Sequence, residues 1–445
     1  MKPNWWPGEK HELFTEWAIS QGIIVNGVSP ARFPGRGLGM IATRKIEKDE
    51  VIITVPHQVM LTPTRIPASF TSKFPEGTPT HVLYAAYFTH GDPEDLKPYD
   101  LWRDTWPTRA DFEEGMPILW PSSLRHSNSE YHTQEPDQPT SCFLPPSISG
   151  RWNTVPEQRR ACEYETSHQN LLAQQEKRLR SAYDNVLSVF PDTDWERFSY
   201  HWLIVNTRSF FYLMPGEEAP EDRNDAMALL PFADYFNHSD VAVRMGFCRR
   251  VRGLVVRVPY WLLQCNVKFD GEKYVFRAVK KYEEGQEIYI SYGSHPNDFL
   301  FTEYGFYLEE NASETLYLDD LIFRDLSPAL QEELDFHQYY GNYQLTADGV
   351  CYRTEIAASL TYMPLKDWQN YVLGYSTKGV NEQKSETVIR GWIDAYIRES
   401  DKTIALLDKR LQDGAGNHQE MVKMLLRRWA QIKDLCNRAM DAVSC

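Results

Sequence analysis

Four short strings carry residue types that chemistry needs. Asp234-Tyr235-Phe236-Asn237-His238-Ser239 sets a polar triplet directly behind an aromatic pair. Read alone, it serves equally as a buried polar turn, with Asn237 and His238 satisfying backbone groups, and as a ligand site. His238 by itself is no metal site, because no His or Cys stands at ligand spacing from it. Ser291-Tyr292-Gly293 and Tyr304-Gly305-Phe306-Tyr307 supply phenols that can orient a reactant, although a single tyrosine is more often a core residue with a satisfied hydroxyl. Gly35-Arg36-Gly37-Leu38-Gly39 is either a flexible strand entry or a loop whose bare backbone approaches a ligand, which glycine permits for want of a Cβ. It is no dinucleotide fingerprint: the pattern puts no strand before it and no helix after it.

Positioning these strings is the work of the surrounding elements. Glu9 to Gln21 is predicted to be helical, with Leu13, Trp17 and Ile19 as its apolar positions. The glycine string leads into two short strands, the second being Val51 to Val55, stopped by Pro56. His81 to His90 suits a buried helix, and Cys162 to Phe190 carries apolar residues near helical spacing. Between them, Pro121 to Gln158 is rich in Pro and reads as a long irregular insertion. Asn266 to Phe269, Asp270-Gly271 and Tyr274 to Arg277 form a hairpin, with Asp-Gly supplying positive φ angles. Glu287 to Tyr292 is another strand, and beyond about residue 310 the chain turns helical, closing on an αα-hairpin. Runs of strands and runs of helices mean an α+β fold.

Composition narrows the function. The chain has 445 residues, enough for two or three domains, and a formal net charge of −15. That balance speaks against nucleic-acid binding through the phosphate backbone, and it leaves a basic protein segment as a partner drawn by attraction. No apolar run approaches the ~20 residues that span a bilayer, and no secretory leader is readable, so no membrane partner is expected. The seven Cys lack zinc spacing, which fits a reduced intracellular protein without a metal. Glu217, Glu218, Glu221, Asp222 and Asp225 form an acidic loop, either a solvated surface or a rim for a lysine-rich segment.

The order of these strings resembles the SET-domain lysine methyltransferases, in the split-SET branch that includes the Rubisco large-subunit methyltransferase. The resemblance rests on Gly37-Leu38-Gly39 with Ala42 to Pro56, on Asp234 to Ser239 and on Glu287 to Tyr292. It implies a split SET domain over 19–306, with a helical insertion over about 80–200, and a helical C-terminal substrate-binding domain over 310–445. Small curved sheets would form a pseudoknot that carries the Asn-His-Ser string to the Tyr292 strand end. The cofactor implied is S-adenosylmethionine, bound on one face, with the substrate side chain entering from the other.

Roles follow by the same resemblance. Arg36, Gly37 and Leu38 offer backbone groups to the methionine end of the cofactor, and Arg208 pairs with its carboxylate. Asn237 and His238 bind it, Phe306 packs on the adenine, and Tyr292 places its hydroxyl at the methyl-transfer channel as the catalytic residue. Thr207, Phe210, Asp234 and Tyr304 line the substrate pocket. One position departs from the pattern, since many close relatives carry Glu where Arg36 stands. The implied activity is protein lysine N-methylation by a monomer, cytoplasmic or nuclear. Histidine methylation on the same fold and an inactive SET-like scaffold are the alternatives. Phe210, standing where the histidine branch has an Asn, favours lysine.

Overall fold

In the β-branched run Val51–Pro56, Ile52, Ile53 and Val55 are completely buried. Burial of such side chains is worth about 1.5–3 kcal/mol each, so the run becomes an inner strand rather than an edge. The computed structural model describes residues 2–34, 36–125, 142–153, 169–222, 225–240, 265–414 and 418–443. One four-stranded sheet contains β1 (Ile24–Val25), β4 (Val51–Pro56), β9 (Lys273–Ala278) and β8 (Cys265–Phe269), in that order. The second contains β2 (Val28–Phe33), β3 (Gly37–Ala42), β10 (Glu287–Ile290) and β7 (Asn237–His238). A two-stranded sheet pairs β5 (Ser209–Phe211) with β6 (Met227–Leu229).

The position of β10 matters most. It runs antiparallel to β3, with Ile288 opposite Met40, and parallel to β7, with Tyr289 opposite Asn237 and Ile290 opposite His238. A late segment is thus inserted between two earlier ones. Contacts define two compact units. The first is Met1–Ala110, Lys177–Ser294 and Glu310–Ala312; the second is Asp111–Glu176, His295–Glu309 and Ser313–Cys445. The first holds all three sheets above, together with the buried helices Thr80–His90 and Trp195–Arg208. In the second, helices Glu382–Gln412 and Gln419–Val443 form the αα-hairpin. Beyond residue 310 the chain is helical apart from a sheet of β11 (Leu316–Tyr317), β12 (Gln344–Thr346) and β13 (Gly349–Val350).

Several expectations change in detail. The first helix, Glu9–Ser20, buries His11, Phe14 and Ala18 and leaves Leu13 and Ile19 about half exposed, at 47% and 53%. Its partners Phe232 and Tyr235 pack on the Phe14 side, and this decides which face turns inward. A strand, β2, does precede the glycine string, although β3 rather than a helix follows it. Pro30 lies within β2, which is an edge strand, where a residue without an N–H is tolerated. At the hairpin only Gly271 has positive φ; Asp270 acts through its side chain, accepting from the backbone N–H groups of Glu272 and Lys273 at 3.0 Å each. The helix expected over 162–190 is described from Leu171 to Leu187. Residues 126–141 and 154–158 of the Pro-rich insertion, and 162–168 of the expected helix, lie outside the described residues. Among the described residues no helix is long and apolar enough to cross a membrane.

Candidate active site

The parallel register of β7 and β10 brings together residues more than fifty positions apart. The backbone N–H of Tyr292 donates to His238 Nδ1 at 3.0 Å, and the Tyr292 phenol donates to the Phe236 carbonyl at 2.7 Å. The two rings stack with centroids 5.1 Å apart. The Phe236 carbonyl and the Asn237 amide belong to one peptide unit, so the phenol lies within about 5 Å of the Asn237 nitrogen. Because His238 Nδ1 accepts, the proton of a neutral ring sits on Nε2.

Asn237 ties this strand pair to the glycine turn. Its Nδ2 donates to the Leu38 carbonyl at 2.9 Å and to Glu287 Oε1 at 2.8 Å. Both partners are acceptors, which fixes the amide orientation and leaves Oδ1 as a free acceptor. Glu287, whose side chain is 4% exposed, also takes the Tyr289 hydroxyl at 2.6 Å and pairs with Arg36 Nη1 at 2.9 Å. Burial, and then the hydrogen bond to Glu287, push the Tyr289 phenol above its ordinary range, so it stays a donor. A Cβ on Gly37, where φ is 75°, would meet no neighbouring atom within 4 Å. Gly39 is the opposite case: a Cβ there would lie 2.6 Å from Glu287 Oε1 and 2.7 Å from Asn237 Nδ2. Gly39→Ala is therefore expected to push Asn237 and Glu287 apart and cost about 1–3 kcal/mol, as overpacking does. An unchanged thermal melt would count against this tight packing.

Helix Trp195–Arg208 is started by Asp194, whose carboxylate accepts from the Arg197 N–H at 2.8 Å, and it delivers Thr207 and Arg208 at its far end. Thr207 caps back onto the Leu203 carbonyl at 2.8 Å. Arg208 Nη1 donates to the Asp234 carbonyl at 2.9 Å and to its carboxylate at 3.2 Å. The Trp102 indole donates to the same carboxylate at 3.0 Å. Burial pushes the Asp234 carboxyl up, against the pull of Arg208 and Trp102. Arg208 Nε is buried with no partner, so one edge of the guanidinium is left for a carboxylate. Phe210 packs near Tyr274 and Phe276, at 6.4 and 6.0 Å, and Phe236 stacks on Phe276 at 5.4 Å.

Within the first unit, then, Arg36, Leu38, Asn237, His238 and Tyr292 lie in one hydrogen-bonded cluster with Gly37 on the same turn, and Arg208 with Asp234 forms a second. Tyr304 and Phe306 belong to the second unit, with rings 6.2 Å apart. Gly39, Glu287, Tyr289 and Trp102 were not singled out from sequence. Gly39 had a signal, as the third glycine of the string. Glu287, two residues after a Gly turn, reads as an ordinary exposed carboxylate. The acidic loop is partly committed, since Asp225 accepts the Thr80 N–H at 2.7 Å.

Residues 37–293 match the SET domain family, and residues 315–442 match the ribosomal lysine N-methyltransferase 2 C-terminal domain. The chain belongs to the SET-domain family. Human "SET domain-containing protein 4" is 22% identical over 401 residues, covering 87% of this chain and 81% of that one. "Ribosomal lysine N-methyltransferase set11" of Schizosaccharomyces pombe is 24% identical over 62% of this chain and 68% of its own. The crystal structure of the SET domain of LSMT bound to MeLysine and AdoHcy shares the fold, with a TM-score of 0.59 at 14% identity over 98% of this chain and 92% of that one.

Proposed function

We propose that this protein is an S-adenosylmethionine-dependent protein lysine N-methyltransferase. The observation that carries the reading is the Tyr292 phenol seated on the Phe236 carbonyl, one peptide unit from Asn237 and beside the glycine turn. The residues present suit the cofactor: Arg208 Nε is an unpartnered buried donor for its carboxylate, and Asn237 Oδ1 is a free acceptor for its ammonium group. Backbone groups of Arg36, Gly37 and Leu38 and of His238 complete its site. When bound, it supplies an electrophilic methyl group on a sulfonium.

The chain's own residues then have two tasks. Lysine has a pKa near 10.4 and must arrive neutral. Phe210, with Thr207 and Asp234 beside it, gives an apolar wall that disfavours the ammonium form by desolvation. The Tyr292 oxygen, its own proton spent on Phe236, can accept an N–H of the neutral amine and turn the nitrogen lone pair toward the methyl group. Alignment of this kind supplies much of the rate. The C-terminal region 310–445 grips the substrate protein. The relatives named as ribosomal lysine methyltransferases support lysine over histidine, as does Phe210, which offers an imidazole no hydrogen bond. The enzyme acts as an intracellular monomer, without nucleic acid.

Incubation of the full chain with labelled S-adenosylmethionine and a cell extract, followed by mass-spectrometric mapping, should place the label on a protein lysine. Label on histidine would give the histidine reading. S-adenosylhomocysteine binding without any label would give the scaffold reading.

A further inference from the structure

We infer that Glu287 is a positioning residue and counter-charge for the ammonium end of the cofactor, and that Arg36 is a latch held by Glu287 which yields to that ammonium. The inference rests on the function proposed above. A carboxylate only 4% exposed lies under the glycine turn. Its Oε1 holds Asn237 Nδ2, and Asn237 Oδ1 is thereby turned out as an acceptor. Its Oε2 receives the Tyr289 hydroxyl, which also accepts from Arg36. The carboxylate thus has two neutral donors that stay and one cation, Arg36, whose side chain is 57% exposed and lies 5.4 Å from the Phe33 ring.

Two cations compete for one buried negative charge. Arg36 satisfies Glu287 when no other cation is near. An ammonium accepted by Asn237 Oδ1 brings a second positive charge to the same carboxylate, and like charges repel. The exposed, single-ended Arg36 is the partner that can leave. Glu287 then acts through Asn237, by orienting its amide, and through space.

The two side chains should therefore shift affinity in opposite directions. Calorimetric titration of the full chain with S-adenosylhomocysteine is expected to give about tenfold weaker binding for Glu287→Gln, in line with the loss of a hydrogen bond to a charged group. Arg36→Gln should bind about threefold more tightly, as expected when an exposed competing ion pair is removed. A second probe, 5′-methylthioadenosine, keeps the adenosine and thioether but has no amino-acid end, and its affinity should be unchanged in both variants. Equal weakening of both probes by Glu287→Gln would reduce Glu287 to a structural support and overturn the inference, as would unchanged S-adenosylhomocysteine binding. Weaker S-adenosylhomocysteine binding by Arg36→Gln would also overturn it, since Arg36 would then grip the cofactor; this holds even if Glu287→Gln does not fold. Failure of the wild-type chain to bind S-adenosylhomocysteine would instead sink the function on which the inference rests.

Discussion

Tyr292→Phe is expected to lower kcat about 100-fold, equivalent to about 2.7 kcal/mol of transition-state stabilisation, while S-adenosylhomocysteine affinity changes less than about threefold. The separation follows from which atoms the substitution removes. The N–H of residue 292 still donates to His238 Nδ1, and the ring still stacks on His238, so the surroundings of the proposed cofactor site survive. What disappears is the hydroxyl that donates to the Phe236 carbonyl and that the proposed mechanism uses to orient the amine. The carbonyl of the buried Phe236 also loses its donor, a cost of about 1 kcal/mol in stability. Stopped assays with a lysine peptide, run beside the titration, check this. Undiminished turnover would remove Tyr292 from the reaction, and joint loss of binding and turnover would make it a structural residue.

The meeting of Asn237 and Tyr292 was legible only through the family resemblance, whose strings are local: each is a run of a few residues, and their order is specific. The partners of those strings were not legible, because they are fixed by register. Glu287 faces Asn237 only because Tyr289 pairs with Asn237 on a parallel strand, and a shift of one residue would send it to the other face. Gly39 becomes indispensable for the same reason: the atoms that forbid its Cβ come from positions 237 and 287. The first helix shows a different limit. Leu13, Trp17 and Ile19 make as good a stripe as His11, Phe14 and Ala18, and only the arrival of Phe232 and Tyr235 chooses between them. The β-branched run of β4 needed no such partner to be identified, since a short apolar stretch closed by Pro56 suits a buried strand wherever it pairs.

The second unit should be exceptionally sensitive at Arg428. This side chain is fully buried on helix Gln419–Val443. Its Nε donates to Asp298 Oδ1 at 2.7 Å and its Nη2 to Glu314 Oε1 at 2.8 Å, while Nη1 reaches Gln431 at 3.2 Å. Asp298 is held further by Ser147 of the insertion, and Glu314 by the Asn297 N–H at 3.1 Å. One guanidinium thus joins three stretches of this unit. Burial works against its charge, yet the Asp298 and Glu314 carboxylates raise its pKa above the ordinary arginine range. Arg428→Met keeps the volume and strands two buried carboxylates, so a loss of about 3–5 kcal/mol at pH 7 is expected in urea or thermal melts. The deficit should be pH-dependent. Burial already raises the Glu314 carboxyl above its ordinary 4.5, against the pull of Arg428, and removing that pull raises it further. A carboxyl raised in the folded state contributes its stability below the unfolded pKa and loses it as pH rises through the folded one. The variant should therefore recover relative to wild type as pH falls from 7 toward 4.5, and adding Glu314→Gln should recover part of the loss at pH 7. A deficit independent of pH would mean that lost packing, rather than stranded charge, is what Arg428→Met measures.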